Sequence, residues 1–440
     1  MDCALKPAAT PEVAGIDDLD HAGRGIARID GKAVFVDGAL PGERVLLRRV
    51  RRRRQHDEAM VVEVLESSPH RVEPRCRHFG VCGGCVLQHL APAAQLECRQ
   101  RQVADALGRI AGLQPDTWLP PLTGPVWAYR RRARLGCRYV AKKGRVLVGF
   151  RERASPLLAD LERCEILVEP VGGLIQPLAE LIGGLTIRER IAQIEVAAGS
   201  GVTALVLRVL DEPGPADFEQ LRGFAALHRV DFWLQPGGLD TVRPLAPDPP
   251  VLRYELPGLA AGIEFEPTDF VQVNDAVNQA MVARALELLA PGPQDRVLDL
   301  FCGLGNFSLP LAQRAARVSG VEGDAGLVAR ARANAHRNGI SNAGFQVADL
   351  SAAGAAADWA REPHELVLLD PPRAGAREVL PAATAARPRR IVYVSCHPGT
   401  LARDAGLLVG QYGYRLVAAG IMDMFPHTAH VESIAMFEPA

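Results

Sequence analysis

VLDLFCGLGNF, residues 297–307, reads as a buried strand that breaks at a glycine-rich turn and re-forms as a helix. Such a unit brings backbone N–H groups and a helix N-terminus close to a polar, nucleotide-like ligand. A lone turn of this kind is shared by dinucleotide-binding folds and by plain tight turns, so the flanking pattern has to arbitrate. That pattern is a regular alternation. Residues 273–289, 308–315 and 327–338 have helical periodicity, and 296–301, 317–322, 343–347, 366–370, 390–395 and 415–422 read as strands. The expectation is an α/β, Rossmann-like domain, an open and mostly parallel sheet with helices on both faces. In such sheets ligands bind beyond the carboxyl ends of the strands.

The residues at those ends carry the chemistry. Glu322 closes the second strand, where it would meet ribose hydroxyls, and Asp349 follows the third, near an adenine edge. LLDPPR (368–373) places Asp370 after the next strand, and YVSCHP (393–398) places Cys396 after the one beyond it. A cysteine beside a nucleoside site suits methylation of an aromatic ring carbon. That carbon is a weak nucleophile until a thiolate adds to its neighbour. Cys302 is the rival thiol and fits better as packing beneath the cofactor. For the base that would finish such a reaction, Glu432 and His430 are equal candidates from residue type alone. A thiol has a pKa of about 8.5, so Cys396 needs a positive neighbour, with Arg373 and His397 both in range along the chain.

Toward the N-terminus the pattern changes. Short β-branched runs at 25–29, 33–36, 43–50 and 58–65, punctuated by glycine and proline, predict a small antiparallel barrel of OB-like type, a module that commonly holds oligonucleotides. Residues 91–111 predict a helix, and 129–262 a mixed α+β region. The chain has 440 residues, 48% of them apolar, enough for about three domains. Its formal net charge is −1, from 50 basic and 51 acidic residues, so attraction to a polyanion must come from local clusters. One cluster is Arg44, Arg48, Arg49 and the run 51–54. The other extends from Arg130 through Arg134, Arg138, Lys142 and Lys143 to Arg153. Two such clusters favour a phosphate backbone over a solvated face. The N-terminus lacks a signal-peptide pattern and no apolar stretch of ~18 residues occurs, which predicts a cytoplasmic protein with no membrane partner.

Nine cysteines at irregular spacing point to metal or catalytic roles rather than a disulfide framework. Cys76, Cys82 and Cys85 form C-x5-C-x2-C, and Cys164 is a candidate fourth ligand. Four thiolates suit tetrahedral zinc or an iron–sulfur cluster, and a lone, remote fourth ligand leans toward the cluster. Cys3, Cys98 and Cys137 read as ordinary small residues.

DFVQVN (269–274), FCGLGNF (301–307), DPPR (370–373), SCHPGTLARD (395–404) and DMFPHTAHVE (423–432) occur in the order found in the uracil-5 RNA methyltransferases, and the chain resembles that family over nearly its whole length. Within the family it is most similar to the branch that modifies 23S rRNA. The resemblance implies S-adenosyl-L-methionine contacts at Gln272, Phe301, Asn306, Glu322 and Asp370, and less directly at Asp349. It implies a [4Fe-4S] cluster on Cys76, Cys82, Cys85 and Cys164, with Cys396 as nucleophile and Glu432 as base. It also implies a TRAM barrel over 1–67, a central iron–sulfur and RNA-binding domain over 68–88 and 126–268, and a methyltransferase domain over 89–125 and 269–440. The partner would be 23S rRNA, met by a monomer at a flipped or unstacked uridine. Phe270, Phe301 and Tyr393 are aromatics available to stack on it. Alternatives are 5-methyluridine formation in tRNA or at a second 23S position, cytosine methylation, and a non-catalytic iron–sulfur assembly factor.

Overall fold

The computed structural model describes residues 10–351 and 358–440. The chain forms two compact units, one built from Met1–Arg99, Glu152–Ser155 and Pro426–His430, the other from Gln100–Arg151, Pro156–Phe425 and Val431–Ala440.

In the first unit six strands make one curled sheet. Their order is Glu12–Gly15, Arg44–Arg52, His56–Glu66, Lys32–Asp37, Gly25–Ile29, Asp18–Leu19. Alternation along each strand explains the closure: Val45 and Leu47 join Ala27, Val34 and Val36 in the core, while Arg44 and Arg48 face outward. The expected barrel is present, with two differences. Glu12–Gly15 and Asp18–Leu19 are additional strands, and Lys32–Asp37 runs parallel to His56–Glu66 rather than antiparallel.

That pairing changes the meaning of the first arginine cluster, because the neighbouring strands supply carboxylates. Arg44 pairs with Glu66 at 3.1 Å, Arg53 with Glu58 at 3.1 Å, and Arg49 with both Glu12 and buried Asp57 at 2.5 Å each. Burial pushes Asp57 up, but Lys32, the Arg53 N–H and Arg49 outweigh it and hold its carboxyl below the usual range. What stays exposed without a carboxylate partner among the described residues is Arg48, Arg51, Arg52 and Arg54.

The second unit holds two large sheets and a two-stranded one, Arg253–Tyr254 with Ile263–Glu264. A six-stranded sheet ordered Arg243–Pro244, Asp231–Gln235, Thr203–Val209, Ile191–Ala198, Arg132–Val140, Arg145–Gly149 forms the mixed α+β region. Here too arginines are consumed: Arg134 pairs with Glu195 at 2.8 Å, and Lys143 and Arg145 share Asp160 at 2.7 and 2.6 Å. The second cluster is therefore mostly structural.

The other sheet has eight strands in the order Ala343–Val347, Arg317–Glu322, Arg296–Leu300, Leu366–Leu369, Arg390–Ser395, Glu432–Pro439, Tyr414–Met422, Thr117–Trp118. All run parallel except Glu432–Pro439, which is inserted antiparallel between Arg390–Ser395 and Tyr414–Met422. Helices Asp275–Leu289, Ala325–Arg337 and Pro398–Gly410 pack on it, in agreement with the expected fold. The reversed last strand was not expected, and it organises the site.

Candidate active site

Because five neighbouring strands run parallel, their carboxyl ends share one edge of the sheet. Phe301, Glu322, Asp349, Asp370 and Cys396 follow those ends in turn. Glu432 reaches the same edge from the opposite direction. Ser395 is in register with Ser433, so Cys396 and Glu432 lie side by side where this antiparallel pair opens. The Ser433 hydroxyl donates to the Ser395 carbonyl at 3.2 Å, tying the two strands at that point.

The glycine-rich turn is held in a conformation that costs energy. Phe301 has φ +66°, rare for an aromatic residue, and is kept there by donation of the Phe301 and Cys302 N–H groups to the Val321 carbonyl at 2.9 and 3.1 Å. Glu322 binds the same turn: its carboxylate accepts from Gly303 N–H at 3.1 Å and from Gly323 N–H at 2.7 Å. Asp324 N–H takes a third position at 3.1 Å, and since a carboxylate has about four, capacity remains for one ribose hydroxyl.

Asn306, an expected cofactor contact, lies within the turn itself. Its amide exchanges hydrogen bonds with Asn278 at 3.0 and 3.1 Å and accepts from the Tyr254 hydroxyl at 3.0 Å, which makes it first a brace for the turn. Asp349 is exposed, and its carboxylate accepts from both the N–H and the hydroxyl of Ser351. Gln272 is half-buried just before helix Asp275–Leu289, its carbonyl accepting from Arg131 Nε at 2.8 Å. Cys302 is 3% exposed, and a Cβ on Gly320 would come 3.0 Å from its sulfur. It is packing, as expected.

Electrostatics separate the groups further. Asp299, in the strand before the turn, is fully buried, takes the Ser308 hydroxyl on one oxygen, and leaves the other oxygen without a partner among the described residues. Burial, reinforced by Asp370 and Glu322, pushes it up to about 7. Asp370 is likewise pushed up to about 7 by burial and by Glu322. Glu432, only 4% exposed, is driven well above the ordinary carboxyl range by burial and then by Asp370. Such crowding of acids is relieved by a cation at this edge.

Cys396 is half-buried and its thiol is pushed up to about 11, by burial first and then by Glu432 and Asp370, with Arg373 acting in the opposite sense. His397 is otherwise engaged, because its Nδ1 caps helix Pro398–Gly410 by accepting from Thr400 N–H at 3.2 Å. Arg373 is the side chain whose charge works to lower the Cys396 pKa. Alkylation of Cys396 by iodoacetamide, followed by mass spectrometry, is expected to speed up ~10-fold per pH unit between about pH 7 and 9. An Arg373→Met variant should be slower at each pH.

Comparison with known proteins agrees with this geometry. A family model described as tRNA (Uracil-5-)-methyltransferase matches residues 261–439, and a TRAM domain model matches 14–47. A protein of Nitrosococcus oceani named 23S rRNA (uracil(1939)-C(5))-methyltransferase RlmD is 55% identical over 97% of this chain and 96% of its own length. One of the same name from Methylococcus capsulatus is 52% identical over 98% and 97%. The chain belongs to the RlmD family of uracil-C5 RNA methyltransferases. Among solved structures, a Pyrococcus abyssi tRNA (uracil-54, C5)-methyltransferase in complex with S-adenosyl-L-homocysteine superposes with a TM-score of 0.74, covering 97% of this chain and all of that one at 24% identity. That match shows the shared fold.

The remaining expected residues of the RlmD pattern are cysteines. Cys76, Cys82 and Cys85 are half-buried in the irregular segment after the barrel, and Cys164 is buried in the second unit. Tight turns wrap the first three: Phe79 N–H donates to the Cys76 carbonyl at 3.0 Å and Cys82 N–H to the His78 carbonyl at 2.9 Å. Gly84 N–H points at Cys82 Sγ at 3.4 Å, the kind of contact that stabilises a ligating thiolate. The three thiols of this segment have the chemistry of a soft, sulfur-bound metal centre, although among the described residues no three His, Cys, Asp or Glu side chains are grouped as a bound ion requires. No helix is long and apolar enough to cross a membrane.

Of the aromatics considered for stacking, Phe270 is 71% exposed and Tyr393 is fully buried with its hydroxyl on Asp404, so Tyr393 is excluded.

Proposed function

We propose that this protein transfers the methyl group of S-adenosyl-L-methionine to carbon 5 of a uridine in 23S rRNA, leaving 5-methyluridine. The observation that carries the reading is the pairing of Cys396 with Glu432 at the mouth of an antiparallel strand pair, beside Asp370 and the cofactor turn. The acid-rich edge suits a sulfonium cation, which when bound supplies an electrophilic methyl group.

The chain's own residues do the rest. Cys396, once deprotonated with help from Arg373, adds through Sγ to carbon 6 of uracil, and the carbon 5–carbon 6 electron pair becomes nucleophilic at carbon 5. After carbon 5 takes the methyl group it still holds its proton. Glu432 removes that proton, the double bond re-forms, and Sγ leaves as thiolate. A carboxylate whose pKa is raised is a stronger base once ionised, which suits Glu432 to a carbon acid. Release of tritium from RNA labelled at carbon 5 tests the base: release from uridine-labelled but not cytidine-labelled RNA is expected, and the reverse would overturn it.

Target choice rests on identity with named RlmD relatives. Architecture alone does not separate ribosomal from transfer RNA, because a tRNA-modifying enzyme shares the fold over 97% of this chain. A base within a helix cannot reach a half-buried thiol, so the uridine is met flipped or in a loop, with exposed Phe270 available to stack. The exposed arginines of the barrel contact phosphates. Replacing Arg48, Arg51, Arg52 and Arg54 by glutamine should lessen the log–log salt slope of RNA binding by ~0.7–0.9 for each phosphate no longer neutralised; an unchanged slope would make them a solvated face.

Cys76, Cys82, Cys85 and Cys164 hold a [4Fe-4S] cluster that has no part in the methyl chemistry. Anaerobically purified protein should contain ~4 iron and ~4 sulfide per chain, in keeping with four thiolate ligands, and Cys82→Ser should lose them. Zinc instead would overturn this assignment. The protein acts as a cytoplasmic monomer.

A further inference from the structure

Helix Pro398–Gly410 carries a fully buried carboxylate, Asp404, for which the reaction has no chemical use. Its surroundings give it another role. Asp404 Oδ2 accepts from Ala376 N–H at 2.7 Å and from the Tyr393 hydroxyl at 2.7 Å, and Oδ1 accepts from Arg403 Nε at 2.8 Å. Arg403 in turn donates to the Ala374 carbonyl at 2.8 Å. One carboxylate therefore joins three pieces of chain: the 370–376 loop with Asp370 and Arg373, the strand leading into Cys396, and the helix leading out of it.

The closeness of the loop is visible at Gly375. Its φ is +87°, and a Cβ there would sit 2.5 Å from both Asp404 Oδ2 and Arg403 Nη2. Only glycine lets the backbone lie on the carboxylate in this conformation. The segments DPPRAG and SCHPGTLARD are thus two halves of one docking joint.

We propose that Asp404 is a positioning residue that sets the 370–376 loop against Cys396, and so governs how fast the thiol adds to uracil without governing how tightly RNA binds. The proposal rests on Cys396 being the nucleophile. Misplacing reacting groups by about 1 Å can cost ~100-fold in rate, while binding groups elsewhere are undisturbed.

The test uses 23S rRNA transcribed with 5-fluorouridine. Fluorine at carbon 5 cannot leave as a proton, so once Sγ–carbon 6 and methyl–carbon 5 bonds have formed, elimination is blocked and the adduct persists. In single turnover, Asp404→Asn should slow adduct formation ~100-fold and Tyr393→Phe, which removes one hydroxyl from the joint, ~10-fold. Affinity for the RNA should stay within ~3-fold of the parent, as expected when only positioning is impaired. Asp217→Asn is the control for destabilisation, since Asp217 is equally buried but caps Pro215–His228 in the other sheet's region. The proposal is overturned if Asp404→Asn forms adduct at the parent rate at saturating cofactor, if its loss matches that of Asp217→Asn at equal thermal stability, or if the loss lies in RNA binding. Retention of turnover by Cys396→Ala would instead remove the underlying mechanism.

Discussion

Cys396→Ala is expected to lower methyl transfer by ~10⁴-fold or more while leaving RNA and cofactor binding intact. The site explains both halves. Cys302, the rival thiol, cannot take over, because it is 3% exposed, held well above its ordinary pKa by burial, and packed against Gly320. Alanine at 396 removes a half-buried sulfur at a strand end and disturbs no hydrogen bond between the strands, since Ser395 and Ser433 make that connection. Methyl counting and filter binding on the same preparation measure the two quantities. Undiminished turnover would remove Cys396 from the mechanism.

Glu432→Gln should produce the opposite signature, a protein that reacts once and stays attached. Addition to carbon 6 and methylation at carbon 5 do not use Glu432, but release does, so the methylated adduct accumulates as a denaturation-resistant protein–RNA band. Multiple turnover should fall ~10²- to 10⁴-fold. The fold tolerates the change, because Glu432 is buried and its charged form is disfavoured there, and a neutral amide of the same shape suits that setting. A variant that turns over normally, or is inactive without adduct, would move the base role to another group.

Much of this was legible in the sequence because strand-end chemistry is local. A glycine-rich turn after an apolar run, an acid after the next strand and a cysteine after a later one are each visible within a few residues, and parallel topology then brings them to one edge. What was not legible depends on pairing between distant segments. Glu432–Pro439 is buried on both faces, with helices Asp275–Leu289 and Pro398–Gly410 packing on it, so it lacks the period-two signal of a half-exposed strand. Yet its reversed direction is what sets Glu432 beside Cys396. The bracing of Asn306 was not visible because its partners, Tyr254 and Asn278, lie 52 and 28 positions away. The arginine clusters were overcounted for the same reason: Glu12, Asp57, Glu58, Glu66 and Glu195 meet them across strands rather than along the chain. Asp299 was visible as an acid within the strand, but burial with one unpartnered oxygen is a property of the folded state alone.

The most direct measurement is methyl incorporation from labelled S-adenosyl-L-methionine into unmodified 23S rRNA, 16S rRNA and transfer RNA in parallel, using anaerobically purified protein and identifying product nucleosides by mass. 5-Methyluridine confined to 23S rRNA is the expected result. Label in cytidine, or in no RNA at all, would contradict the account at its centre, and label confined to transfer RNA would keep the mechanism but overturn the substrate.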